Sequence, residues 1–213
     1  MAPGQLTEEY IAERWPRLFH MAEAGSWPSI RRHGLLSTSR LLDLYEIAGP
    51  ERVALEAARR PRSVEIRHPV HGIARIRDNR PINETVLRRT LVGMSEAEWY
   101  RTLNRRVFFW ISEKRLHRLR GAQYNRDQQH DLLIFDTARV LEARAADVEL
   151  AHLNTGAVFR AATYPRGEGT FRSIATYPWN QRLRVARTEP IVELTVLDAL
   201  PDVDRFLVDV TRC

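Results

Sequence analysis

The spacing of hydrophobic and polar positions changes repeatedly along the chain, and each change marks an element. Residues 6 to 15 predict a short helix entered through the cap residue Thr7, with Glu8 and Glu9 favourable in its first turn and Pro16 ending it. RLFHMA, residues 17 to 22, is a short strand. Ser26 ahead of Trp27-Pro28 has the cap and early proline of a helix start, and Gly34 after His33 is a natural C-cap. The first fifty residues therefore alternate strand, helix, turn and helix.

Residues 51 to 60 predict a helix that turns Val53, Ala54 and Ala57 toward a core and stops at Pro61. SVEIRHPVHGIARIRD then alternates apolar and polar side chains, which suits a pair of half-buried strands. INETVLRRTL and SEAEWYRTLNRR are two further helices, the second opened by Ser95 with Glu98 as a capping box. VFFWIS, at 107 to 112, is the most hydrophobic run and too short for a helix, so it predicts a central strand. A short basic helix between Ser112 and Gly121, a buried strand at 131 to 136 and a short helix TARVLEA follow. Gly156, Pro165, Gly167, Gly169 and Pro178 punctuate residues 154 to 190, which predict a long loop with one short strand. PIVELTVLDA and DRFLVDV supply two terminal strands. The pattern is α+β, with five to eight strands expected.

Composition narrows the chemistry. At 213 residues the chain favours one domain with elaborations, and 44% hydrophobic with 28% charged residues is near the globular average. No apolar run approaches the ~20 residues of a membrane span, and TEEYIAERW lacks the character of a signal peptide, so a cytoplasmic protein without membrane contact is expected. The single cysteine, Cys213, is the last residue and can form neither an internal disulfide nor a thiolate cluster. The net charge of +6 is almost entirely arginine, since Lys114 is the one lysine. Such a bias follows either from a GC-rich genome or from a nucleic-acid or phosphate-bearing partner.

That lysine sits in Ser112-Glu113-Lys114-Arg115, which excludes a Walker loop, and Gly167-Glu168-Gly169-Thr170-Phe171-Arg172 lacks the third glycine of a Rossmann fingerprint. His68 and His71, as HPVH, are two ligands without a third, so no metal site is expected.

The strand ending Phe19-His20, the helix with Trp27, Pro28, Ser29 and Ile30, and the phrase His33-Gly34-Leu35-Leu36-Ser37 together resemble the opening of ADP-ribosyltransferase folds. The likeness is greatest to the DarT family of DNA ADP-ribosyltransferases and more distant to tRNA phosphotransferases. INETVLRRTL, a helix and then VFFWISEKRL resemble the DarT-like segment in which an arginine-bearing helix precedes a phenylalanine-rich strand and an arginine turn. The whole chain is also similar to an uncharacterised bacterial family related to that fold, carrying LNRRVFFW and VELTV. The late DarT signature of small and polar residues is matched only loosely by LNTGAVFR and YPRGEGTFRS.

The resemblance implies an ADP-ribosyltransferase-like split β-sheet core with flanking helices, a single domain over residues 1–213, and NAD-dependent transfer to a nucleic-acid or protein acceptor. A toxin-like role would add an antitoxin partner. His20 and Ser37 fall to the NAD-binding side, Trp110 flanks the nicotinamide, and Glu193 meets the nicotinamide ribose. Such a carboxylate would stabilise the oxocarbenium-like transition state of glycosidic cleavage. The assisting arginine falls at Arg88 or Arg89, and Arg115 has the planar fork that suits a phosphate or carboxylate. Tyr164, Arg166 and Arg172 of the long loop are the expected acceptor contacts.

Each residue has an ordinary alternative: a hydrogen-bonded strand histidine, a core tryptophan, a solvent-facing glutamate, and a loop that Tyr177 and Trp179 fasten permanently to the domain. Two other functions are open. One is a non-catalytic nucleotide or nucleic-acid binding module of the same fold, using the basic run Lys114 to Arg120 with Tyr124 and Arg126 beside VFFW. The other is phosphate transfer from RNA to NAD.

Overall fold

The apolar runs of the chain become the middle of one sheet. The computed structural model describes residues 4–122, 128–159, 164–186 and 189–212, so Tyr124, Arg126 and Cys213 lie outside the described residues. The helices are α1 (Glu8–Arg14), α2 (Trp27–His33), α3 (Thr38–Leu44), α4 (Gly49–Glu56) and α5 (Glu84–Thr90), then α6 (Glu96–Asn104), α7 (Glu113–Arg120), α8 (Thr137–Arg144) and α9 (Trp179–Val185). The first strands are β1 (Arg17–Glu23), β2 (Leu35–Leu36), β3 (Val64–His68), β4 (Gly72–Ile76), β5 (Leu91–Val92) and β6 (Arg106–Trp110). They are followed by β7 (His130–Asp136), β8 (Val148–Ala151), β9 (Arg166–Gly167), β10 (Arg172–Ser173), β11 (Glu193–Leu197), β12 (Ala199–Leu200) and β13 (Leu207–Arg212).

Seven strands form an antiparallel sheet in the order β10-β8-β11-β6-β1-β7-β13, with β6, the VFFW run, at its centre. One face carries Leu18, Phe109, Leu133, Phe135, Leu194 and Val196 and is covered by α1, α8 and α9. There Tyr10, Trp15 and Trp179 meet edge to face with ring centres 5.6 to 6.5 Å apart. On the other face Phe108, Ala151 and Phe171 pack against Leu87 of α5 and Trp99, Tyr100 and Leu103 of α6. The β3–β4 hairpin closes a separate cluster with Leu42, Tyr45 and Leu55 of the α3–α4 region. Among the described residues no helix is long and apolar enough to cross a membrane.

Local signals set most boundaries. Thr7 and Ser112 accept the cap hydrogen bonds of α1 and α7, and Ser95 with Glu98 forms the reciprocal capping box of α6. Gly34 ends α2 at φ 86°, and a Cβ there would lie 2.9 Å from the Pro201 Cα. The start of α2 differs from the expectation. Ser26 makes no side-chain cap, and the buried carboxylate of Asp131 on β7 instead accepts from the Gly25 and Trp27 N–H groups at 2.8 and 3.0 Å.

Three further expectations are corrected. The helix expected over 51–60 runs Gly49–Glu56, with Pro50 in its first turn. Val53 is 53% exposed and Ala54 is exposed too, while Leu55 and Ala57 are buried. The chain leaves the helix five residues ahead of Pro61, and Arg60 turns inward to bond the carbonyls of Leu55 and Arg77. Second, β8 was not foreseen: four residues are too few to show a period, and its place is fixed by pairing with β10 and β11. Third, residues 154–190 hold two short strands, β9 and β10, and the helix α9 rather than one strand in a loop. Tyr177 and Trp179 are buried in the main core, and the Tyr177 hydroxyl donates to the Pro190 carbonyl at 2.5 Å. That part of the segment is thus fastened to the domain.

Candidate functional site

The centre of the sheet is open on one side. β1 pairs with β7 along its whole length, but with β6 only at Phe19 opposite Trp110. Continuing that register would set Met21 opposite Phe108, and no such pair forms. Side chains take over the abandoned carbonyls. His20 Nδ1 lies 2.9 Å from the Phe108 carbonyl, and Arg77 of the residue after β4 donates to the Met21 carbonyl at 2.8 Å. A buried carbonyl left bare would be costly, so these bonds let the strands part.

The parting opens into a cavity of about 790 Å³. His20, Ser37, Trp110, Arg115 and Glu193, separated by up to 173 residues in sequence, all line it. Further walls include the α2–β2 segment, β4 with Arg77, Arg60, the end of α6, α7 and residues 154–157.

Glu193 is the most constrained of these groups. As the first residue of β11 it stands in register between Trp110 and Ala151, and it is only 3% exposed. The Thr155 hydroxyl donates to one carboxylate oxygen at 2.8 Å, and the Thr155 N–H lies 3.2 and 3.3 Å from the two oxygens. Burial raises the carboxyl to about 7, and the Thr155 bonds with the charges of Arg115 and Arg166 offset only part of that rise. The group is therefore poised between acid and carboxylate near neutrality.

His20 has the opposite character. A carbonyl can only accept, so Nδ1 carries the hydrogen and the neutral ring leaves Nε2 as an acceptor. Burial lowers its pKa to about 4, and the bond to Phe108 does not restore it. The ring lies edge-on to Phe109, 6.0 Å between centres. Trp110 is half-buried against the cluster of Phe19, Leu116 and Leu132. Ser37 has a local task as the cap of α3, accepting from the Arg40 N–H at 3.3 Å. Arg115 pairs with Glu189 at 2.7 Å.

Other expected residues stand elsewhere. Arg88 and Arg89 are exposed on α5 and do not reach the cavity, and Arg88 pairs with Glu96 at 2.9 Å. Their helix turns Leu87 and Thr90 inward, which leaves positions 88 and 89 facing out. Tyr164, 51% exposed, and the exposed Arg172 lie outside the cavity lining. Arg166, expected to contact an acceptor, is instead buried. It donates to the carbonyls of Asn154, Ala157 and Tyr164 at 3.0 to 3.3 Å, bracing the loop that carries Thr155.

Three residues of the site escaped the sequence reading. Thr155 sits in a Thr-Gly turn with no local sign of a partner 38 residues away. Arg77 follows a strand on which Arg75 and Arg77 alternate with apolar positions, a pattern that fits any solvated face. Arg60, beside Pro61, carries no signal of burial at all. Among the described residues no group of three or more His, Cys, Asp or Glu side chains could hold a metal ion.

The chain belongs to DUF7002, a family of unknown function whose model matches residues 16–207. No curated protein and no solved structure matches it.

Proposed function

We propose that this protein has an ADP-ribosyltransferase-like split-sheet core and transfers ADP-ribose from NAD to a nucleic-acid or protein acceptor. One observation carries the reading: His20 of β1, Trp110 of β6 and Glu193 of β11 converge on a single cavity where the central strands part. Its volume, about 790 Å³, falls in the range of pockets that enclose small molecules.

In the proposed reaction the bond between the nicotinamide nitrogen and C1 of its ribose breaks, and the electron pair stays with the nicotinamide. The acceptor nucleophile bonds to that carbon and releases its proton to the Glu193 carboxylate. The leaving group is cationic before cleavage, so no strong general acid is needed. A carboxylate beside the ribose hydroxyl stabilises the positive charge that builds on the sugar. The Nε2 acceptor of neutral His20 suits a second ribose hydroxyl, and the Trp110 ring offers a flat apolar wall to the nicotinamide. Because Arg166 is internal, acceptor contacts in this reading fall to the exposed Tyr164 and Arg172.

Incubation with NAD labelled in its ADP-ribose part, over a panel of protein, DNA and RNA acceptors, tests the proposal. Nicotinamide release and label transfer are expected, and Glu193→Gln is expected to abolish both. Activity that survives this substitution refutes the mechanism. NAD binding without nicotinamide release would favour the non-catalytic binding module instead.

A further inference from the structure

We propose that His33, His68 and His71 form an acid-sensitive latch, which holds the tip of the β3–β4 hairpin against the end of α2 and lets that cavity wall part as pH falls. The inference is independent of the transferase reading and involves neither NAD nor Glu193.

The turn His68-Pro69-Val70-His71 carries two imidazoles at the tip of the hairpin, and α2 ends on a third. The rings of His68 and His71 stack with centres 4.6 Å apart, and His33 lies edge-on to His71 at 5.1 Å. Both elements belong to the cavity wall, α2 through Ile30 and His33 and β4 through Ile73 and Ala74. The ring contact is therefore a seam between two pieces of that wall.

The seam suits neutral rings. His68 Nδ1 accepts from the N–H groups of Val70 and His71 at 3.2 and 3.4 Å, which leaves the hydrogen of the neutral ring on Nε2. His71 Nδ1 and His33 Nε2 are buried and meet no hydrogen-bond partner among the described residues. A proton added to either would place charge where no acceptor receives it. Glu46, after α3, stands 3.7 Å from His68 Nε2, beyond hydrogen-bond distance, and its side chain is exposed. The other charges of the packed elements do not help. On α2 the exposed Arg32 adds positive charge and Arg31 pairs with Asp204 at 3.2 Å. On the hairpin Glu65 pairs with Arg67 and faces Arg75, and Asp43 of α3 is taken by Arg40 and Arg52. Loss of water around the ring, with His68, His33 and Arg32 nearby, holds His71 below the ordinary imidazole value, and Glu46 only partly opposes this. A parted tip frees His71 to take the proton, so the closed seam is favoured above about pH 6.5 and is lost as pH falls below it.

The remaining ties decide what moves. Toward the base of the hairpin, Arg75 and Arg77 donate to the carbonyls of Ala24 and Met21 at 3.0 and 2.8 Å, and Ile66 and Ile76 pack in the cluster with Leu42. Those ties contain no imidazole and hold at either pH. Besides the rings, the tip is held by the Tyr45 hydroxyl, which donates to the His71 carbonyl at 3.2 Å. Acid therefore loosens the tip and spares the base.

NMR of the intact protein with carbon-13-labelled histidine rings, titrated from pH 8 to pH 5, tests the latch. The nuclear Overhauser contact between His33 and His71 is expected to vanish with a midpoint of about pH 6. The remote contact of Trp99 with Phe171, 6.1 Å between ring centres, is expected to persist. Glu46→Gln removes the offsetting anion and should raise the midpoint by about half a unit. His68→Asn removes an imidazole but keeps a side-chain acceptor for the turn, and should lower it by about as much. If His68→Asn fails to fold, Arg32→Gln replaces it with the same downward shift expected. A His33–His71 contact that survives at pH 5, a midpoint that these substitutions leave in place, or loss of the Trp99–Phe171 contact at the same pH overturns the proposal.

Discussion

Replacing Glu193 by glutamine should make the protein more stable at alkaline pH while leaving it no more stable at acid pH. The carboxyl is raised from its ordinary 4.5 to about 7 by burial. Between those values the native state holds a proton that the unfolded chain has released, so stability falls as pH rises through the interval. Below about pH 4.5 both states are protonated and this group costs nothing. Above pH 7 the full penalty applies, and a rise of about 2.5 units corresponds to about 3 kcal/mol. Glutamine keeps an oxygen for the Thr155 hydroxyl and N–H, but its amide nitrogen enters a space built for an acceptor, at a cost of about 1–2 kcal/mol. The net expectation is a gain of about 1–2 kcal/mol at pH 8.5 and a loss of about 1–2 kcal/mol at pH 4.5. Urea denaturation of both proteins at pH 4.5, 6 and 8.5 measures the difference, and every other titrating group cancels between them. A stability difference that does not move with pH would show that Glu193 titrates normally and would refute the reasoning.

Three further outcomes follow from particular contacts. Thr155→Val removes the hydroxyl that donates to Glu193 at 2.8 Å, so the carboxyl should titrate at a still higher pH; carbon-13 NMR of the labelled side chain reads this directly, and Thr155→Ser should restore it. Gly34→Ala meets a positive φ of 86° and a Cβ position 2.9 Å from the Pro201 Cα, and should cost about 1–3 kcal/mol in urea denaturation. An unchanged midpoint would mean that β2 and β12 yield easily. Asp131→Asn should lose about 1–2 kcal/mol, because the buried carboxylate both caps α2 and accepts from Arg212 at 3.1 Å; hydrogen exchange at Trp27 should rise with it.

How much of this was legible depended on the range of the interaction involved. β1, β6 and β7 announce themselves as apolar runs too short for helices, and Thr7, Ser95 and Ser112 mark helix starts because a cap bonds within three residues. Ser26 has the same local credentials but makes no side-chain cap, and the first N–H of α2, that of Trp27, is satisfied instead by Asp131, over 100 residues away. The cavity brings together His20, Ser37, Trp110, Arg115 and Glu193, which were singled out mainly through a resemblance of short phrases. Thr155, Arg77 and Arg60 could not be found that way. Their partners, Glu193, the Met21 carbonyl and Asn104, lie 38 to 56 residues distant, and nothing in their own neighbourhoods distinguishes them from surface positions. Arg88 and Arg89 failed for a related reason, since the side of α5 facing inward is chosen by its packing against α6.

The parting of β1 from β6 bears on how the chain avoids its neighbours in a crowded solution. A sheet opened at its middle acquires internal edges, and an unpaired edge is a template on which an extended segment of another molecule can add as a strand. The usual defences, a lysine or proline on an outermost strand, are unavailable in the interior of a sheet. Here the imidazole of His20 and the guanidinium of Arg77 occupy the Phe108 and Met21 carbonyls that an incoming strand would need. A strand adding at this internal edge would find those two acceptors already taken, so the opening in the central sheet presents an incomplete ladder to a foreign backbone.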